Sequence, residues 1–262
     1  MYINDSIYLG LADGQRVTMA LNMANRHGLI AGASGTGKTI TMKCLAESFS
    51  DAGVPVFLCD IKGDVSGLCQ AGDQTESMEK RIDKFGIRDS FRYRDYPVTF
   101  WDVYQENGHP IRATVSDMGP DLLSRILGLS EAQQGVLNIL FRIADDSGLL
   151  LIDLKDLRAM LDYMTAHRSE ITTKYGNVSS QSLGGILRAL LPLEDQGGDL
   201  FFGEPDLDIY DLMRLDRSGK GMINLLDCVK LAQNPTLYAT FLLWLMSELY
   251  ERLPEAGDLD RP

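Results

Sequence analysis

Hydrophobic and polar positions along residues 7–21 fall into two extended runs that flank Asp13 and Gly14. An Asp-Gly pair between such runs predicts a tight hairpin, because both central positions of that turn need positive φ. Residues 28–31, Gly-Leu-Ile-Ala, are a short apolar run ending at Gly32, and they read as a buried strand. From Lys38 the period changes. Ile40, Cys44, Leu45 and Phe49 fall at helical spacing, and Gly53 supplies the stop. Residues 54–60 are β-branched and aromatic, which suits a central strand. Strand, glycine loop, helix, strand is the order of a βαβ unit, so the fold class is α/β. Met78, Ile82 and Phe85 place a helix over residues 74–85, and residues 97–103 read as a third strand.

Beyond Met118 the strand pattern stops and helical patterns take over. Ser130 followed by Gln133 is a capping-box signature ahead of a helix carrying Val136, Leu137, Leu140, Phe141 and Ala144. Asp153 and Asp156 open another, with Leu154, Leu157, Leu161 and Met164 on one stripe. A further helix is expected over residues 182–191, stopped by Pro192. Residues 221–226 return to strand character and end at Asp227. Asn234 then caps and Pro235 opens a helix in which ten of the thirteen residues 237–249 are apolar. So apolar a helix should be covered on more than one side. The expected organisation is a core with an N-terminal hairpin over residues 1–118, a mainly helical insertion over 119–205, and a return to the core over 206–262. A buried helix followed by the polar connector at 256–262 normally precedes another sheet strand. The sequence is therefore read as an N-terminal fragment that stops before that strand.

Composition narrows the class without naming a function. With 45% apolar and 24% charged residues the chain suits a compact globular fold. Lys and Arg total 25 against 37 Asp and Glu, a formal net charge of -12, which disfavours a protein that coats DNA but leaves open a grip inside a channel. Cys44, Cys59, Cys69 and Cys228 show no CxxC spacing and no paired spacing with the three histidines, so neither a zinc site nor a disulfide framework is indicated. Reduced thiols in a cytoplasmic protein fit that usage. The N-terminus does not look like a signal peptide, and no apolar stretch is long enough to span a membrane.

The strongest chemical signal is residues 32–39, Gly32, Ala33, Ser34, Gly35, Thr36, Gly37, Lys38 and Thr39, which match G-x-x-x-x-G-K-T at the start of the first helix. Glycines let backbone N–H groups converge on phosphate oxygens, and the helix N-terminus adds its positive dipole end. Lys38 supplies a mobile ammonium to the β- and γ-phosphates, and the Thr39 hydroxyl is placed for Mg2+. The site is therefore expected to bind ATP or ADP, with Ile40 continuing the first helical turn. Hydrolysis also asks for a carboxylate at a neighbouring strand end. Asp60 and Asp64, beside Lys62, are candidates for the crevice or else merely end a strand in a polar turn; Asp227 is better read as a solvated strand end. His27 either touches nucleotide or makes a local hydrogen bond. Arg125, Arg142 and Arg188 are either interface arginines or solvated helix faces.

Residues 25–39 followed by residues 57–68, with the Asp-Ile-Lys-Gly-Asp run at 60–64, resemble the HerA and FtsK branch of P-loop ATPases, in particular a YjgR-like bacterial group with a HerA-like helicase C-terminal domain. The resemblance covers essentially the whole chain. It implies a RecA-like P-loop NTPase core, ATP hydrolysis and a homo-oligomer, often a hexameric ring. DNA translocation or helicase-linked work is a property of the relatives. Family members continue with a strand ending in Asp-Glu, the Walker B element, which residues 1–262 lack. Two further readings of the loop remain beside this one, an ATP-dependent regulatory or assembly switch and a small-molecule kinase.

Overall fold

The computed structural model describes residues 1–257, 259 and 262. The connector expected over residues 256–262 falls partly outside them. In chain order the strands are β1 (Tyr2–Ile3), β2 (Ser6–Ala12), β3 (Gln15–Ala20), β4 (Val56–Asp60), β5 (Val98–Asp102), β6 (His109–Pro110) and β7 (Ile223–Asp227). The helices are α1 (Lys38–Asp51), α2 (Glu76–Lys84), α3 (Val115–Ile126), α4 (Glu131–Asp146), α5 (Leu154–Ala166), α6 (Arg168–Tyr175), α7 (Ser180–Asp195), α8 (Gly198–Phe201) and α9 (Pro235–Arg252). The chain divides into two compact units. One comprises residues 1–101, 208–229 and 254–262, and the other residues 102–207 and 230–253.

The first unit is the α/β part. Asp13 and Gly14 turn β2 into β3 with φ of 50° and 75°, as the hairpin required, and β1 adds a third antiparallel strand through a second left-handed turn at Asn4 and Asp5. A parallel ladder joins β4, β7 and β5, with Ile223 opposite both Val56 and Val98. The strand that arrives last, β7, is central and almost fully buried, because it must be covered on both edges and both faces. Met42 and Ala46 of α1 pack on this sheet with Val56, Leu58, Val98, Phe100, Ile223 and Leu225. Leu45 and Phe49, on the other flank of the same helix, pack on Ile7, Met19 and Leu21 of the hairpin end. On the opposite sheet face the buried Asn224 accepts from Trp101 Nε1 at 2.9 Å and donates to the Leu212 carbonyl at 3.0 Å.

One expected element is corrected. Residues 28–31 are not a buried strand: they are irregular and exposed, with Leu29 at 90% of its free accessibility. Four apolar residues become a strand only where a neighbour completes the ladder, and among the described residues of this unit β4 pairs with β7 and no strand flanks residues 28–31.

The second unit is built from helices α3 to α9. Local signals hold where they should: Ser130 with Gln133 and Asp153 with Asp156 form the capping boxes of α4 and α5. A third box, Thr114 with Asp117, opens α3, which is broken at Gly119 before Pro120. Helix α7 does not stop at Pro192; it runs through it to Asp195, since the buried Leu193 keeps the next turn packed. Asn234 precedes α9, but its side chain does not cap the helix and instead donates to Tyr104 Oη at 2.7 Å. Phe201, Phe241 and Trp244 meet edge-to-face or tilted with centroids 5.5–6.0 Å apart. Helix α9, expected to be covered on more than one side, packs against both α3 and α7 and keeps an exposed stripe. Leu237, Phe241, Trp244 and Leu245 are buried, whereas Leu243, Met246 and Tyr250 are exposed. Glu248 lies on the buried side, where burial holds its carboxyl above the usual glutamate range against the opposing pull of Arg252, with Asp117 and Glu251 adding to the rise. Among the described residues no helix is long and apolar enough to cross a membrane.

Replacing Asn224 with Leu strands the Trp101 N–H and the Leu212 carbonyl. We expect a loss of at least about 2 kcal/mol in a urea unfolding series; an unchanged midpoint would contradict the assigned role. Because folding raises the Glu248 pKa, ionised Glu248 weakens the fold above that pKa and the penalty is absent below the ordinary value of 4.5. Glu248→Gln should therefore raise the melting temperature at pH 7 to 8, and the advantage should vanish on acidification towards pH 4.

Candidate functional site

The site is built at the start of α1. Residues 27–36 are exposed, and the chain enters the helix through two left-handed glycines, Gly35 (φ 79°) and Gly37 (φ 97°). Gly37 is the N-cap, and no side chain caps the helix, so the first amides, those of Lys38, Thr39 and Ile40, have no capping oxygen. The first turn also carries no acidic residue. Uncapped amides, the dipole end of a 14-residue helix and two partly buried residues, Lys38 and Thr39, together suit an anion. Lys38 Nζ donates to the Ala33 carbonyl at 2.8 Å, and so does Thr36 Oγ1, also at 2.8 Å. Ser34 and His27 are exposed beside this turn.

The Asp-Ile-Lys-Gly-Asp segment belongs to the same end of the first unit. Only residues 52–55 separate the end of α1 from the start of β4, and the two elements pack together. The helix therefore runs back against the strand. At about 1.5 Å per residue α1 spans about 21 Å and β4, at about 3.3 Å per residue, about 17 Å, so Lys38 and Asp60 lie at the same end.

Asp60 itself is 6% exposed, and its carboxylate accepts from Gly63 N at 2.8 Å, Asp64 N at 3.2 Å and Val65 N at 2.9 Å. It holds the turn that carries Lys62 and Asp64, both exposed. Asp227 likewise accepts from Val229 N at 2.9 Å. The same arrangement appears in the second unit, where Asp102 accepts from the amides of Tyr104, Glu106 and Asn107. Asp102 was not singled out from sequence, although an Asp ending an apolar run is the common signal.

Other side chains are more dispersed. Arg142 pairs with Asp146 one turn along α4 at 3.2 Å, and Arg125 and Arg188 are exposed on α3 and α7. Among the described residues no three His, Cys, Asp or Glu side chains gather to hold a metal ion. A hard cation could still be held at the loop by the Thr39 hydroxyl together with phosphate oxygens, the usual arrangement for Mg2+ with a nucleotide. One pair escaped the sequence reading. Cys59 on β4 and Cys228, just past β7, meet side by side, and the hydrogen bond between them, then burial, pushes the Cys228 thiol well above its usual range. Spacing of 169 positions gives no hint of this, since only the β4–β7 register creates it.

If Asp60 organises its turn as the distances indicate, Asp60→Ala should speed hydrogen exchange at Gly63, Asp64 and Val65 by about tenfold or more, the scale of losing a bond to a charged acceptor. Unaltered exchange there would remove Asp60 from that role.

A search of curated proteins finds no match to this chain. The family model described as Helicase HerA-like C-terminal, in contrast, matches residues 8–262, which leaves only the first seven residues outside it. A glycine loop opening a helix, beside a parallel sheet and within a match of that extent, identifies the chain as a member of the HerA-like helicase C-terminal family.

Proposed function

We propose that the chain binds ATP at residues 32–39 and hydrolyses it as a P-loop ATPase of the HerA and FtsK branch, akin to the YjgR-like group. The observation that carries this is the uncapped start of α1 behind two left-handed glycines, with Lys38 at the first helical position. In this reading the backbone N–H groups of residues 35–40 donate to the phosphate oxygens and the Lys38 ammonium reaches the β- and γ-phosphates. Thr39 would hold Mg2+, whose charge, when bound, offsets that developing on the phosphate oxygens. Asp60 acts through the turn it shapes, and Asp64, exposed on that turn, is the carboxylate free to face the crevice. His27, exposed five residues before the loop begins, would contact the nucleotide in this reading.

The larger assignments rest on family membership. They are a RecA-like core with the helical segment as an insertion, a homo-oligomeric ring, a cytoplasmic setting and DNA as the track. With a net charge of -12, contact with DNA would fall to locally clustered Lys and Arg, and the slope of affinity against salt would count the phosphates they neutralise.

Calorimetric titration with MgATP tests the core of the proposal. Lys38→Ala should weaken binding by about ten- to a hundredfold, the range for a charge-assisted hydrogen bond. Equal affinity of the variant and the unaltered chain would refute the site. Measuring ATP turnover with and without duplex DNA, over a range of salt, then separates a DNA motor from a nucleotide switch.

A further inference from the structure

The glycines of the loop are glycine for different reasons. At Gly35 and Gly37 no atom lies within 4 Å of where a Cβ would stand, so only their left-handed backbone demands glycine. Gly32 has no such φ. A Cβ there would stand 2.5 Å from Thr36 Oγ1 and 3.5 Å from Thr36 Cβ. Thr36 thus fills the space that a side chain on Gly32 would need. Its hydroxyl donates to the Ala33 carbonyl, the same oxygen that takes a hydrogen bond from Lys38 Nζ.

We infer, on the nucleotide reading proposed above, that Thr36 is a positioning residue for Lys38: it fixes the carbonyl that aims the ammonium, and Gly32 is needed because Thr36 lies over it. A carbonyl oxygen has two lone pairs, enough for the hydroxyl and the ammonium together. An ammonium has three N–H donors, so one can stay on Ala33 while two face phosphate oxygens. Without the hydroxyl, the Ala33–Thr36 turn keeps only a long backbone bond, Thr36 N to Ala33 O at 3.4 Å. The carbonyl can then swing with Lys38 attached, and the ammonium loses its fixed direction. Thr36 is exposed, so its replacement leaves the core untouched.

The test is calorimetric titration of MgATP into the unaltered chain, Lys38→Ala, Thr36→Val, Thr36→Ser, Thr36→Ala, Gly32→Ala and the Gly32→Ala/Thr36→Ala double variant, with melting temperatures to verify folding. Thr36→Val keeps the shape and loses the donor, and should weaken binding by about three- to tenfold, the scale of one neutral hydrogen bond. Thr36→Ser keeps the donor and should bind as the unaltered chain does. Gly32→Ala should cost affinity in the unaltered chain and far less beside Thr36→Ala, where Oγ1 is gone and the remaining 3.5 Å contact is ordinary. The role is overturned if Thr36→Val binds normally, if Thr36→Ser is as weak as Thr36→Val, or if Gly32→Ala costs the same factor in both backgrounds. Should Lys38→Ala behave as expected while Thr36→Val is neutral, only the Thr36 role falls. Should the unaltered chain fail to bind MgATP, the nucleotide reading falls and takes this role with it.

Discussion

Two hydrogen bonds tie the last turn of α1 to the start of the central strand. Gly221 N donates to the Ser50 carbonyl at 2.9 Å, and Ser50 Oγ donates to the Gly221 carbonyl at 2.7 Å. The approach is so close that a Cβ on Gly221 would stand 2.1 Å from the Val54 carbonyl oxygen. With that end fixed, and with Met42 and Ala46 on the sheet and Leu45 and Phe49 on the hairpin, the helix has one available direction. Its opposite end must then carry the glycine loop to the edge where β4 ends. A helix gripped on two flanks gives a rigid platform for a loop that is itself exposed, the usual division between scaffold and site.

Aspartate at a strand end is a recurrent device here. Asp60, Asp102 and Asp227 each follow an apolar run, and each turns its carboxylate back onto backbone amides just downstream. Such an acceptor satisfies donors that the ladder leaves behind when a strand leaves the sheet. Catalytic carboxylates occupy the same sequence position, so position alone does not separate the two uses. What the structure shows is their surroundings: both Asp60 oxygens are engaged within its turn, whereas Asp64 is exposed.

The helical unit shows how packing overrides local grammar. Pro192 removes a backbone donor, yet α7 continues, because Leu190 and Leu193 on either side of it are buried. Asn234 stands where a cap would, but its side-chain N–H groups donate to Tyr104 Oη and the Lys230 carbonyl, and its oxygen makes no capping bond. Along α9, Trp244 and Phe241 pack against Phe201, while Met246 and Tyr250 lie in solvent. Composition counted all of these as apolar alike and could not assign them faces.

What the sequence determined by itself was whatever depends on a few neighbouring residues. The Asp13-Gly14 turn, the capping boxes at Ser130 and Asp153, and the helix beginning at Lys38 are fixed by φ preferences and by hydrogen bonds spanning three or four positions. The glycine loop was legible for the same reason. Tertiary structure alone decided the rest: that β7 lies between β4 and β5, that residues 28–31 stay outside the sheet, that Cys59 meets Cys228, and that Thr36 covers Gly32. Each is a matter of which partner supplies a ladder, a contact or a filled space, and partners distant in the chain leave no periodic mark on it.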